Sequence, residues 1–310
     1  MILLWGIPAD EPLMSVRAAL LRLGAKVAFL DQRLVLDTEV ELSVDHSVEG
    51  VLRVGDEQLN LADVSAVYLR PYEWRRLPAI AEAGPTSAEW WHALRVEDTL
   101  VSWSEIAPAF VVNRPAAMAA NTSKPYQAAL IRAHGFAIPD TLITTDAEAA
   151  LEFRSRHGSV IYKSISGARS IVARLTEEHR DRLADLAWCP TQFQQYIPGH
   201  DYRVHVVGTE IFACEIVSAG DDYRYAAQQG DRAEMRACDL PDACADLCRT
   251  LVAAMQLSVG GIDLRRTPSG EWYCFEVNSS PGFTYFEEVT GQPIAEAVAH
   301  LLLATAGTPA

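Results

Sequence analysis

Residues 260–278 constrain the fold of this chain more than any other segment, because they contain two strands and the turn between them. Apolar and polar side chains alternate on both sides of a turn sequence, Thr267-Pro268-Ser269-Gly270. A four-residue turn at this point places Asp263 opposite Cys274. The sequence therefore predicts an antiparallel hairpin with a defined register.

Three polar side chains of this hairpin are predicted to share one face. Glu276 and Asn278 lie two residues apart, and the side chains of a strand alternate between its faces. Asp263 points to the same face in the predicted register, whereas a shift of one residue would turn it away. Two carboxylates and a carboxamide are hard oxygen ligands that favour magnesium or manganese. Magnesium in proteins is often coordinated by substrate phosphates as well. We therefore expect a metal–nucleotide site; the alternative is a solvent-facing acid beside a turn-stabilising Asn.

A second group of residues has properties that suit phosphate binding. Lys163 lies near the end of an apolar strand, and the small residues Ser166, Gly167 and Ser170 follow it. Small residues let backbone N–H groups approach phosphate oxygens, and a lysine supplies the counter-charge. The chain has no GxxxxGK[ST] sequence, so this is not a Walker-type loop. A plain turn between two strands is the alternative.

The strand at residues 191–197 runs into Pro198-Gly199, a hinge whose backbone groups could read a purine edge. Beyond it, Asp201 could accept a hydrogen bond from a ribose hydroxyl. Arg203 shares the face of Asp201 in a regular strand and could clamp a phosphoryl group through two hydrogen bonds. The alternative is a structural ion pair between Asp201 and Arg203.

The remaining pattern predicts an α/β protein of more than one domain. The chain has 310 residues and opens with a β-α-β unit. The predicted boundaries divide it into residues 1–115, 116–198 and 199–310.

Charge and cysteine content exclude several functional classes. The formal charge of −15 disfavours nucleic acid as a partner, and no apolar stretch approaches the roughly 20 residues that cross a bilayer. The first residues lack the basic start of a signal peptide, so a cytoplasmic location is expected. The six cysteines form no CxxC pair. Cys244 and Cys248 share a helix face, and buried reduced thiols are favoured there over a metal pair.

Taken together, these residues resemble the ATP-grasp superfamily, in its branch of RimK-like and glutathione-synthetase-like carboxylate–amine ligases. The strongest marks are Asp263, then Glu276-x-Asn278 thirteen residues later, followed by Ser280-Pro281-Gly282. The resemblance runs from about residue 113 to about residue 296. It implies an α+β ATP-grasp fold with two lobes, preceded by a Rossmann-like pre-ATP-grasp domain.

The resemblance also implies a role for each site residue. The residues that it assigns to ATP are Lys124, Lys163, Ser166, Gly167, Ser170, Gln194, Gln195, Tyr196, Ile197 and Asp201. The others are catalytic Arg203 and Arg224, the metal ligands Asp263, Glu276 and Asn278, and the acceptor-pocket residues Ser280 and Gly282.

The activity implied is an ATP-dependent ligation through an acyl-phosphate, on a carboxylate and an amine that are small molecules or peptides. Its cofactors are ATP and Mg²⁺, with Mn²⁺ as an alternative, and homo-oligomers are common in the family. A kinase of the same architecture and a nucleotide-binding module without turnover stay open as alternatives. Arg70, at the end of a strand, could meet a substrate carboxylate or cap that strand in solvent. His200 and His205 could act as a base, although a structural role is favoured.

Overall fold

The structure is a computed structural model and describes residues 1–165, 172–217 and 234–305. Its strands are β1 (Ile2–Gly6), β2 (Val27–Asp31), β3 (Thr38–Val44), β4 (Val48–Val54), β5 (Glu57–Asn60), β6 (Ala66–Arg70), β7 (Phe110–Val112), β8 (Thr141–Thr144), β9 (Val160–Ser164), β10 (Ala173–Arg174), β11 (Thr191–Gln195), β12 (His200–Val207), β13 (Glu210–Val217), β14 (Glu234–Cys238), β15 (Val259–Arg266) and β16 (Trp272–Asn278). Its α-helices are α1 (Glu11–Arg22), α2 (Pro78–Ala83), α3 (Ala88–Ile106), α4 (Pro115–Met118), α5 (Lys124–Ala133), α6 (Ala147–His157), α7 (Asp242–Ala254), α8 (Thr284–Thr290) and α9 (Ile294–Thr305). Segments of 3₁₀ helix lie at Gln32–Asp37, Leu61–Asp63, Trp74–Arg76, Ala119–Thr122 and Glu177–Trp188.

The first sheet is parallel and has the strand order β2-β1-β6-β7. β1 is buried along its whole length, as expected for a parallel strand that is covered on both faces. Helices α1 and α9 cover one face around Leu4, and α3 covers the other around Trp103. Parallel strands end at one edge, so Gly6 and Arg70 lie side by side there. This edge is where open α/β sheets commonly bind ligands.

A separate antiparallel sheet, β3-β4-β5, continues the core beneath α3 through Leu52. Two further sheets frame the predicted nucleotide region. The smaller has the order β10-β9-β11-β8, and its core side packs against α6 and residues 177–188 around Phe193. The larger is antiparallel, with the order β14-β13-β12-β15-β16.

One face of the large sheet is apolar and packs against α7 and α5, around Val204 and Ile262. The other face carries Arg203 and Asp263, which are paired across β12 and β15. Helix α5 contributes Ile131 to the core of this sheet, although the sequence grouped it with residues 116–198. The domain boundaries at 115 and 198 stay predictions.

Within the described ranges, no helix has the length and apolar character needed to cross a membrane. All six cysteines are free thiols. Cys244, Cys248 and Cys274 are buried in the core beneath α7, which agrees with the interpretation of these residues as reduced thiols.

Candidate functional site

The hairpin β15–β16 has a different register from the predicted one. Its two strands are joined by five residues, Thr267–Glu271, and not by four. The Thr267 hydroxyl closes this turn by accepting from the Glu271 N–H at 3.0 Å. Cys274 therefore faces Leu264 and not Asp263, so the predicted register is wrong by one residue.

A β-bulge at Phe275 compensates for this shift. The register changes between Asp263 and Leu264, so that Phe275 is the extra residue and Asp263 pairs with Glu276. Asn278 then pairs with Gly261, two residues from Asp263. Asp263, Glu276 and Asn278 consequently share a face, although by another pairing than the sequence suggested.

These three side chains offer oxygen donors that suit magnesium. Asp263 Oδ1 accepts from Arg203 Nη1 at 2.7 Å, and Asn278 Oδ1 accepts from the Ser280 N–H at 3.0 Å. A carboxylate has about four acceptor sites and an amide oxygen has two, so both keep capacity for a cation. Across residues 1–165, 172–217 and 234–305, no three or more His, Cys, Asp or Glu side chains are grouped for a metal. Two acids and an amide suit magnesium, which takes few protein ligands and keeps waters or phosphates, and manganese stays the alternative for the same oxygen donors.

Arg203 lies in a space that a glycine leaves open on β15. Its side chain is only 7% exposed. A Cβ atom on Gly261 would come within 2.3 Å of Arg203 Nη2 and 2.7 Å of Pro281 Cβ. The guanidinium therefore reaches Asp263 across a position where any larger residue would collide with it.

The two histidines near the site lie on opposite faces of β12. His205 is buried beside Arg203, and its Nε2 lies 3.4 Å from Arg203 Nε, which donates to it. Burial, and then the charge of Arg203, hold the pKa of His205 well below its ordinary value, so the ring is neutral. His200 is on the other face, with a side chain 63% exposed and Nδ1 3.6 Å from Glu215 Oε1. These contacts favour a structural role for both.

Asp201 pairs with Arg265 of β15 through two hydrogen bonds of 2.7 and 2.8 Å, and both side chains are largely buried. The structural pair suggested between Asp201 and Arg203 is therefore replaced by this one. Arg265 also donates to the Ile197 carbonyl at 2.9 Å and lies 5.9 Å from the ring centroid of Tyr196. One arginine thus ties the proposed adenine hinge to the proposed ribose acid. Sequence reasoning missed Arg265, whose signal was its position two residues after Asp263.

The two proposed phosphate lysines lie on separate elements. Lys163 is on β9 and pairs with Gln192 of β11, on the face of the small sheet that is turned away from Phe193 and its core. Gln194 shares that face and is buried, while Gln195 ends the strand. Lys124 is the first residue of α5.

Four of the proposed site residues fall outside the described ranges: Ser166, Gly167, Ser170 and Arg224. Their roles stay predictions, as do those of the other site residues.

The side chain of Arg70 is largely buried, so the alternative of a strand cap in solvent is wrong. Its side chain is 9% exposed, and its Nε donates to Asp10 Oδ1 at 2.7 Å. Its Nη1 donates to the Pro281 carbonyl at 3.1 Å. Arg70 and Ser280 line the same small recess. The structure therefore brings the end of β6 against the loop that contains Ser280 and Gly282.

Two buried carboxamides hold this region together, and sequence reasoning missed both. Asn113 Nδ2 donates to the carbonyls of Val259 and Ser279, each at 2.7 Å, and its Oδ1 accepts from the Ser258 N–H at 2.8 Å. Gln127 forms two hydrogen bonds with the backbone of Val277. Neither side chain belongs to a recognisable pattern, and their partners are about 150 residues away along the chain.

Comparison with known proteins finds a protein family whose model matches this chain. The model of the RimK-like ATP-grasp domain matches residues 121–302, which is more than half of the chain. A probable alpha-L-glutamate ligase of Pasteurella multocida (strain Pm70) is 28% identical over 183 residues, which cover 56% of this chain. The matched region spans only 58% of the length of that relative.

Several solved structures match almost the whole chain, among them a macrocyclase and an ATP-grasp ligase. The macrocyclase MdnC of Microcystis aeruginosa MRC, bound with precursor peptide MdnA, has a TM-score of 0.83 at 24% identity and covers 98% of this chain and 99% of its own. The ATP-grasp ligase PsnB, complexed with minimal precursor, Mg and ADP, has a TM-score of 0.78 at 28% identity, with coverage of 99% and 98%. The predicted fold class is confirmed by these likenesses.

Proposed function

This chain belongs to the RimK-like ATP-grasp family, and on that premise we propose that it is an ATP-dependent ligase that joins a carboxylate to an amine. The observation that carries the proposal is the shared face of Asp263, Glu276 and Asn278, with Arg203 held against Asp263. A purely structural acid would not need a buried arginine, an opposed acid and an amide on one face.

The cofactors proposed are ATP and Mg²⁺. The matching PsnB structure contains Mg and ADP, and the donor set of this chain suits the same ion. Asp263, Glu276 and Asn278 would hold magnesium, which when bound neutralises phosphate charge. Lys124 and Lys163 are proposed to contact the phosphates, and the hinge at residues 194–197 to contact adenine.

The chain's own residues supply position and charge. Arg203 is fixed by Asp263 and His205, so its guanidinium is already oriented for the charge that develops on a transferred phosphoryl group. In the proposed reaction a substrate carboxylate oxygen attacks the γ-phosphorus, and the bond to ADP breaks. An amine nitrogen then attacks the acyl carbon, inorganic phosphate leaves with the bonding electrons, and the amine loses a proton. These two reaction steps need no nucleophile from the protein.

A peptide is the substrate class that the comparisons favour. MdnC and PsnB are both bound to precursor peptides, and both cover nearly the full length of this chain, including the N-terminal sheet. Arg70 lies at the edge of that sheet, where its guanidinium is paired with Asp10 and the Pro281 carbonyl beside Ser280. Its proposed contact with a substrate carboxylate would require that carboxylate to replace one of these partners. A free amino acid is the alternative supported by the glutamate-ligase relative.

The proposal is tested by turnover of magnesium-ATP against pooled amino acids, dipeptides and a host-cell peptide extract. Nucleotide products and new masses are followed together by mass spectrometry. Glu276→Gln should abolish turnover, while Glu271→Gln, on the exposed turn of the same hairpin, should retain it.

ADP together with a product equal to its reactants less one water would establish the ligase. ADP with a phosphorylated alcohol would show a kinase, and AMP with pyrophosphate would contradict the acyl-phosphate route. Nucleotide binding without turnover in any pool would favour a binding module.

A further inference from the structure

The strand that carries two of the proposed metal ligands is the edge of its sheet. β16 pairs with β15 on one side, and on the other side, among the described residues, it has only an isolated parallel bridge from Tyr273 to Ala137. The N–H and C=O of Val277 point away from β15, toward α5. Buried backbone groups at such an edge need partners from elsewhere in the chain.

Gln127 of α5 supplies those partners. Its Nε2 donates to the Val277 carbonyl at 2.7 Å, and its Oε1 accepts from the Val277 N–H at 3.0 Å. A carboxamide presents the same donor and acceptor as a peptide group, so Gln127 acts here like one residue of a neighbouring strand. Gln127 is 4% exposed, and both of its hydrogen-bonding atoms are used on this one residue.

Residues 113–137 also contact β16 at one further point and the residue that follows it at another. The Ala137 carbonyl accepts from the Cys274 N–H at 2.9 Å, and Asn113 Nδ2 donates to the Ser279 carbonyl at 2.7 Å. Val277 is the middle point and is flanked directly by Glu276 and Asn278. Gln127 therefore holds both peptide units of Val277, the residue between the two ligands.

Gln127 also lies one helical turn after Lys124 on the same helix. Residues three apart share a helix face, so α5 presents the proposed phosphate lysine and the strand-holding glutamine together. We propose that Gln127 is a positioning residue for the metal site, and that α5 sets the distance from Lys124 to Glu276 and Asn278. This inference rests on the proposed function.

The test is binding of Mn²⁺ to the full-length chain in the presence of ADP, measured by electron paramagnetic resonance. Gln127→Met keeps the length and volume of the side chain but removes both hydrogen bonds. It should weaken Mn²⁺ binding by about tenfold or more, as substitutions behind metal ligands commonly do. Gln58→Met, at an exposed glutamine of β5, should leave binding unchanged.

Kinetics separate positioning from a general loss of structure. With Gln127→Met, the Mg²⁺ concentration for half-maximal rate should rise, and saturating Mg²⁺ should restore most of kcat. ADP binding measured in EDTA should change by less than about twofold, because Lys124 and the hinge are intact. A merely structural role would lower kcat and ADP binding without moving the Mg²⁺ requirement.

Gln127→Glu is the second variant if Gln127→Met does not fold. An ionised carboxylate still accepts from the Val277 N–H but repels its carbonyl oxygen, so a loss of Mn²⁺ affinity at least as large as that expected for Gln127→Met should result. Wild-type Mn²⁺ affinity in a folded variant would overturn the inference and leave the proposed function standing. Absence of Mn²⁺–ADP binding in the wild-type protein would instead overturn the proposed function itself.

Discussion

At the scale of single residues, the site depends on Gly261, a position without a side chain. Gly261 has an ordinary backbone conformation, so its role is to leave space for the Arg203 guanidinium. We expect Gly261→Ala to displace that guanidinium from Asp263, because the new methyl group would lie 2.3 Å from Nη2. Loss of one preorganised charged donor commonly lowers kcat by about 100-fold or more, and ligase kinetics would measure this.

Gly260→Ala is the matched control. Its added Cβ meets Val252 Cγ2 at 3.1 Å on the apolar face of the sheet and does not approach Arg203. Similar activity losses in both variants would show that Gly261 matters for packing of β15 and not for Arg203.

At the scale of secondary-structure elements, Asn113 joins the end of β7 to the start of β15 and the end of β16. We expect Asn113→Ala to lower the free energy of unfolding by about 3 kcal/mol or more, because it leaves several buried backbone groups without partners. Urea denaturation would measure the change.

Asn60→Ala offers a comparison, since the Asn60 side chain accepts a single exposed hydrogen bond, from the Ala62 N–H. Asn60→Ala should lower the free energy of unfolding by about 1 kcal/mol or less. Equal urea midpoints for Asn113→Ala and the wild-type protein would contradict the role given to Asn113.

The hairpin β15–β16 shows how far sequence could predict the site. Alternation along β16 was enough to place Glu276 and Asn278 on one face. Asp263 joins them only because the bulge at Phe275 offsets the error of one residue in the predicted turn. The exact pairing was missed because Phe275, the bulge residue, looks in sequence like any other apolar member of a strand. Contacts such as that of Gln127 were beyond prediction, since one glutamine has no pattern and its partner is 150 residues away.

At the scale of the whole molecule, stability should depend on pH through Glu97 of α3. Its carboxyl is 5% exposed and accepts from Gln32 Nε2 at 2.5 Å. Burial chiefly, and then the nearby charges of Glu73 and Asp98, raise its pKa to about 7. An acid whose pKa is raised on folding binds its proton more tightly in the folded state. Its contribution to stability is therefore complete below about pH 4.5 and is lost as pH rises through 7.

We expect the free energy of unfolding to fall by about 3 kcal/mol from this group between pH 4.5 and 8. Glu97→Gln should remove this decline and stabilise the protein at pH 8 but not at pH 5. Urea midpoints across that range would measure it, with Glu89→Gln, an exposed acid of the same helix, keeping the wild-type slope. If the urea midpoint of Glu97→Gln fell with pH as steeply as that of the wild-type protein, the titrating group would be another residue.

The position of α9 has a consequence for how the protein is made. Ile294, Val298 and Leu302 of this helix cover the same face of the first sheet as α1. The ribosome finishes β7 some 180 residues before it reaches α9. At about 5–20 residues per second, the part of the apolar sheet face that α9 covers stays exposed on the nascent chain for on the order of 10 s. During translation the core around the first sheet is therefore completed only after residues 294–305 have been synthesised.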